Sequence, residues 1–248
     1  MEFQRQIPFP VRGIIAALVG PVELQDETEE SLRELKTVQE LLPLRPEQEW
    51  LRDAFRCAAG NGHLEILEWL HTTYGLTAKD ARSYNNRAFR WAAANGHLHV
   101  LQWLHTTFQL TVEDARSYNN GAFSLAAANG HLYALQWLHT TFQLTVNDAR
   151  SDNNLAFHCA AMNGHLEVLQ WLHTTFQLTV EDARSRDNFA FRYAAQNGHL
   201  EALQWLHTTF QLTAEDARSV DNWAFHMAAE YGHLEVLQWL HTTYGITG

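Results

Sequence analysis

Residues 163–173 read NGHLEVLQWLH and hold two histidines, a glutamate and a tryptophan. Histidine and glutamate ligate zinc and carry acid–base catalysis. Two tests speak against chemistry here. The histidines stand eight positions apart, not at the i, i+4 spacing that sets two ligands on one helical face. The stretch is also not unique. Asn-Gly-His starts at 61, 95, 129, 163 and 197, with Tyr-Gly-His at 231; Trp-Leu-His starts at 69, 103, 137, 171, 205 and 239. Every step is 34 residues. A residue needed by one active site is not stamped six times, whereas a residue needed by the packing of each unit is.

Spacing between units gives a second argument. Equivalent residues of stacked helical units sit about 8–10 Å apart, while nitrogens sharing a zinc each lie about 2.0–2.1 Å from it. The ladders His63, His97, His131, His165, His199, His233 and His71, His105, His139, His173, His207, His241 are therefore read as structural, with no metal. Cys57 and Cys159 lie three units apart (159 − 57 = 102 = 3 × 34). That places them about 25–30 Å apart, beyond the roughly 7 Å Cα separation of a disulfide. Free thiols fit a reducing compartment, and the expected location is cytoplasmic, the host's cytoplasm if the source is viral. Asp80/Arg82, Asp114/Arg116, Asp148/Arg150, Asp182/Arg184 and Asp216/Arg218 of the recurring DARS segment are read as caps and as ion pairs between units. His158/Cys159 and His226 are the candidates left outside the ladders, two units apart. The chain is expected not to be an enzyme, with no catalytic residue, cofactor or small-molecule substrate.

Composition narrows the partner class. Of 248 residues, 46% are hydrophobic and 18% charged, which is a folded chain. The net charge of −11 disfavours nucleic acid, which needs a basic face, and anionic membrane surfaces. No run approaches the roughly 20 apolar residues that span a bilayer. The nearest, VRGIIAALVGPV at 11–22, lacks the charged flank and cleavage site of a signal peptide.

The elements follow from one unit. AFRWAA (88–93) is a short helical run, ended at Asn95-Gly96 because glycine accepts a positive φ. A second helix over 98–108 places Leu98, Leu101, Trp103, Leu104 and Phe108 largely on one face. In the connector, Thr111 followed by Val112-Glu113-Asp114 predicts an N-cap and a helical turn over about 112–117; Thr77, Thr145, Thr179 and Thr213 hold the same place. Neither helix buries its face alone, so the units must stack. The expected fold is an all-α solenoid of six helix-pair units over 52–248, with 1–51 as a helical N-terminal cap. There an amphipathic helix is expected over about 28–42 from Leu32, Leu35, Val38 and Leu42, stopped by Pro43 and Pro46. Pro46 then opens a helix running into Trp50, Leu51 and Phe55. The last second helix keeps the internal apolar residues Leu237, Trp239 and Leu240 without a polar cap, so either the chain is a fragment or this end packs on something.

The pattern AFRxAAxNGHLEVLQWLH resembles the ankyrin repeat, whose consensus core is TPLHxAAxxGHxxVVxxLL. The Ala-Ala, Gly-His and final Leu positions match in all six units. The Trp/Leu-Gly/Tyr pattern of tetratricopeptide repeats, which share the period, is absent. The resemblance implies a solenoid whose first helices line a concave surface, acting as a non-catalytic protein-binding module, and a Gly-His histidine that hydrogen-bonds backbone in the turn between its helices. Three features depart from the family: the opening Thr-Pro is missing, the unit is one residue longer, and a helical turn is expected where the family has a β-hairpin. The dialect is similar to arrays of large amoeba-infecting viruses and protists. Residues 7–38 are loosely similar to an F-box through Ile7-Pro8, Ile14, Ile15, Leu18, Leu35 and Val38, which would make the chain a substrate adaptor of a ubiquitin ligase. A structural scaffold with no specific partner is the remaining alternative.

What differs between units is the more telling signal. Four offsets vary: Arg87, Gly121, Leu155, Phe189, Trp223; Arg56, Arg90, Ser124, His158, Arg192, His226; Cys57, Trp91, Leu125, Cys159, Tyr193, Met227; and Gly60, Ala94, Ala128, Met162, Gln196, Glu230. A connector offset varies too, as Tyr84, Tyr118, Asp152, Arg186, Val220. The four stand at i, i+3, i+4 and i+7, one face of the first helix. Stacking turns that face into a stripe rich in aromatics, Arg and Met, the residues of binding hot spots and adaptable surfaces. Leaving aside its glycines, alanines and cysteines, these side chains are the expected contacts to a protein partner of unknown identity. The competing reading is variable packing between units, which large residues beside Cys and Leu in a uniform slot argue against.

Overall fold

The computed structural model describes residues 48–246, and every regular element in that span is helical. Six units follow one another. Their first helices are Gln48–Gly60, Ser83–Ala94, Ser117–Ala128, Ser151–Met162, the later part of Val180–Gln196, and Ser219–Glu230. Their second helices are Leu64–Tyr74, Leu98–Phe108, Leu132–Phe142, Leu166–Phe176, Leu200–Phe210 and Leu234–Tyr244. The first helix thus begins before residue 52, inside the stretch expected as a cap. The helix expected over 28–42 and the F-box-like segment lie outside the described residues.

The second helices form where Leu, Val and Trp recur at helical spacing, and they bury that face against the first helices. Leu67, Leu70, Leu101, Leu104, Leu135 and Leu138 are all but fully buried. The Ala-Ala pair of each internal first helix, such as Ala92 and Ala93, has no exposed surface. Small side chains there let neighbouring first helices lie close together, and first helices do pack on one another more tightly than second helices do. The largest buried residue of each unit reaches forward. Phe55 packs on Trp103 and Phe108 of the next unit, at 6.3 and 5.8 Å between ring centroids, and Phe89 does the same with Trp137 and Phe142. Each interface is therefore a repeated aromatic joint.

Glycine between the helices serves two needs at once. Gly96 has φ +71, and a Cβ there would lie 2.5 Å from Nδ1 of His131 in the next unit. Only glycine satisfies both the left-handed backbone and that approach.

The connectors contain the expected helical turns, Ala78–Ala81, Val112–Ala115, Val146–Ala149, the start of Val180–Gln196, and Ala214–Ala217. Thr111 caps its turn by a capping box: its N–H donates to Asp114 Oδ2 at 2.8 Å. The same carboxylate accepts from the preceding unit, Arg82 Nε at 2.8 Å and Nη2 at 2.9 Å. Arg116 grips Asp148, Arg150 grips Asp182 and Arg184 grips Asp216 in the same two-pronged way. Burial pushes Asp114 up, but the bonds from Arg82 and Thr111 outweigh it and hold the carboxyl below its ordinary range. The repeated Asp and Arg are thus both caps and inter-unit ties. Arg218, in the sixth unit, donates instead to the Tyr244 carbonyl at 3.1 Å.

After each tie the chain makes a turn that the sequence reading did not anticipate. Tyr84, Asn85 and Asn86 have φ of 53, 57 and 56, three left-handed residues in a row before the first helix proper. The turn recurs at Tyr118-Asn119-Asn120, Asp152-Asn153-Asn154, Arg186-Asp187-Asn188 and Val220-Asp221-Asn222. Asn and Asp tolerate this region best among residues with a Cβ. The last residue is also anchored: Asn86 is buried, and its Nδ2 donates to Asp114 Oδ1 at 3.2 Å.

Candidate binding stripe on the first helices

The ladder histidines are structural fittings. Contrary to the expectation, the Gly-His histidine bonds not within its own turn but across to the preceding unit. His97 Nε2 hydrogen-bonds the Gly60 carbonyl at 3.1 Å, and His165 Nε2 that of Ala128 at 3.0 Å. The reason is the short distance between first-helix ends, which also excluded a Cβ at Gly96. Burial lowers His97, His131 and His199. The second ladder closes its own connector: His71 Nδ1 bonds the Leu76 carbonyl at 2.8 Å, and its ring meets Trp103 and Phe108 edge-on. Cys57 and Cys159 are unpaired.

Among the described residues, one Ser–His pair exists. His158 Nε2 lies 2.8 Å from Ser185 Oγ. It has no catalytic competence as arranged. Ser185 Oγ donates its proton to the Asp182 carbonyl at 2.6 Å, so Nε2 must be the donor to Ser185 rather than a base. Nδ1 has no partner among the described residues, so no carboxylate orients the ring. The imidazole is fully buried, and burial pushes it down to about 4, which keeps it neutral. Burial likewise raises the Cys159 thiol, away from the thiolate that reactivity needs.

The variable offsets meet across units in two clusters. In the first, the Trp91 ring lies between two guanidinium groups, Arg56 at 4.8 Å and Arg87 at 4.7 Å, within cation–π range. Arg90 lies over Tyr118 at 4.4 Å, and its Nε and Nη2 donate to the Asn85 and Tyr84 carbonyls, at 2.8 and 3.1 Å. It thereby ties its own left-handed turn. In the second cluster, Phe189 stacks on Tyr193 at 4.0 Å, and Tyr193 meets Trp223 at 4.9 Å. Arg192 lies over Trp223 at 5.1 Å and donates to the Asp187 and Arg186 carbonyls, at 2.7 and 3.1 Å. His158 stacks beneath on Phe189 at 5.0 Å.

Exposure sorts the set. Arg56, Arg87, Arg90, Trp91, Leu125, Leu155, Met162, Phe189, Arg192, Tyr193, Gln196, Trp223 and Met227 are half-buried, and His226 and Glu230 exposed. Ser124 and His158 are buried, so these two do not present side chains at the surface. The size differences that looked awkward in sequence are complementary in space. A Cβ on Gly121 would lie 2.8 Å from Arg90 Cδ, so the glycine of one unit makes room for the arginine of the unit before. Sequence reasoning treated Tyr84 and Tyr118 as connector residues; both are exposed, and Tyr118 belongs to the first cluster.

Comparison with known proteins agrees with this architecture. The family model described as ankyrin repeats (3 copies) matches residues 91–182, 123–216 and 157–247. Among solved structures, an ankyrin repeat family protein from Legionella pneumophila is similar, with a TM-score of 0.46 and 21% identity over 79% of this chain and 72% of that one. No curated protein matches the chain.

Proposed function

Because this chain belongs to the ankyrin repeat family, whose members are protein-interaction modules, we propose that it is a non-catalytic binding module that grips a protein partner along the first-helix stripe. One observation carries the reading. The joints, caps and ion pairs between units are nearly invariant, while variation concentrates on one helix face that remains partly open. Closer packing of the first helices supports their lying on the inner, concave side of the array. Half-buried aromatics whose neighbours hold them in place lose little entropy on binding, which suits hot spots.

The test is affinity capture from eukaryotic cell lysate by the wild type and by a variant with Trp91, Phe189, Tyr193 and Trp223 all changed to Ser, checked for fold by circular dichroism. A partner captured by the wild type and lost by the variant is expected. A partner retained equally by both would place binding elsewhere.

A further inference from the structure

Positive charge is unevenly placed on this molecule in a way its net value conceals. Among the described residues, the arginines outside the connector ladder of Arg52, Arg82, Arg116, Arg150, Arg184 and Arg218 are Arg56, Arg87, Arg90, Arg186 and Arg192, and all five lie on the first helices or the left-handed turns before them. The exposed carboxylates are spread over both sides: Glu65, Glu113, Glu167, Glu201 and Glu235 sit on second helices and connectors, Glu49 and Glu230 on first helices, and Asp152, Asp187 and Asp221 in the left-handed turns. The net charge of −11 thus coexists with a stripe that carries three arginines, Arg56, Arg87 and Arg90, in its first two units.

That cluster is under-compensated. Asp53 pairs with Arg56 at 3.3 Å, and Glu49 accepts from the Tyr84 hydroxyl. Arg186 pairs with Asp152. Arg87 and Arg90 have no carboxylate partner among the described residues. Both belong to one helix, three positions apart, and burial together with the charge of Arg87 lowers Arg90. Arg56 Nε is buried without a hydrogen-bond partner among the described residues. The Arg87 guanidinium carbon lies over the Trp91 ring, and its N–H groups make no hydrogen bond among the described residues, which leaves them available for a two-pronged bond to a carboxylate.

We propose that Arg87, over the Trp91 ring and with the charge of Arg90 beside it, forms the docking point for an acidic peptide segment of the partner, its Asp or Glu carboxylate closing on the Arg87 guanidinium edge. This rests on the stripe being the binding face. A short acidic segment needs only local complementarity, whereas a polyphosphate chain would also meet the long-range field of the acidic faces.

The experiment selects a phage-displayed library of random peptides on the full chain, then measures the enriched peptides by fluorescence anisotropy. Enrichment in Asp and Glu is expected. Affinity should fall about tenfold in Arg87→Glu, a few-fold in Arg87→Gln, and not in Lys79→Glu, which makes the same charge change on a connector; it should also weaken as salt rises. Circular dichroism and melting of the Arg87 variants should match the wild type, since Arg87 makes no backbone tie. Failure to enrich acidic peptides, or equal loss in Lys79→Glu, overturns the proposal. If the enriched peptides are apolar and are lost in Trp223→Ser, the acidic class falls while the stripe stands. If they bind undiminished to both Arg87→Glu and the fourfold Ser variant, the stripe itself falls. A single-stranded oligonucleotide that displaces the peptides at lower concentration than they bind would also overturn it.

Discussion

Consider lowering the pH around His158. In the folded chain this imidazole is fully buried between Asn154, Ser185 and Phe189. Burial, helped by the positive charge of Arg186, pushes it from 6.5 down to about 4. Asp182, whose backbone carbonyl accepts from Ser185, has its carboxylate already held by Arg150 and Thr179. As pH falls from 6.5 to 4 the unfolded chain binds a proton that the folded chain refuses. Stability is therefore complete above 6.5 and is lost progressively toward 4. At about 1.36 kcal/mol per pH unit, the loss is about 2 kcal/mol between pH 7.5 and 5, and about 3 kcal/mol by pH 4. The variant His158→Gln keeps a donor for Ser185 but does not titrate. Urea unfolding of both chains at pH 7.5 and 5 isolates the residue, because the ladder histidines contribute to both and cancel. The wild type should lose about 2 kcal/mol more than the variant, and hydrogen exchange should show the loss in residues 151–196. Equal pH dependence in the two chains would refute the reasoning and mean that His158 accepts a proton without opening the joint.

Asp114→Ala removes a cap and both prongs of the Arg82 tie together, and should cost about 3 kcal/mol in urea unfolding; a cost within error would mean the ties are solvated ornaments. Val220 is a β-branched residue at φ 53, a costly conformation, and is exposed, so Val220→Asn should stabilise by about 1 kcal/mol, seen as a raised melting temperature. Trp103→Ala, at a joint with Phe55 and His71, should cost about 3 kcal/mol. Trp223→Ala, whose recorded ring partners are the stripe residues Tyr193 and Arg192, should cost clearly less. Similar large losses in denaturant melts would make the stripe a packing seam.

The parts of this molecule legible in the sequence are those enforced locally and then repeated. Thr111 and Asp114 are three apart and cap one turn, so their chemistry could be read directly, and Gly96 marks a break in any context. The left-handed turn escaped because Tyr84, Arg186 and Val220 carry no conformational signature, and the Asn-Asn and Asp-Asn pairs after them read as ordinary connector. The histidine bond was assigned to the wrong turn because its partner, Gly60 for His97, lies 37 residues away and only the close approach of neighbouring units reveals it. The stripe could be located by comparing units. Its internal matching, Gly121 beneath Arg90 and Phe189 above His158, needed the units placed side by side. Burial of His158 had the same cause: Ser185 and Phe189 of the next unit cover it.

The central claim is that a fixed scaffold presents a varied first-helix face to a partner. Hydrogen-exchange footprinting of the chain with a captured partner tests it most directly. The account predicts new protection in the first helices around 87–94, 189–196 and 223–230, with the second helices around 98–108 and 200–210 unchanged. Protection confined to the second helices or the connectors would contradict it.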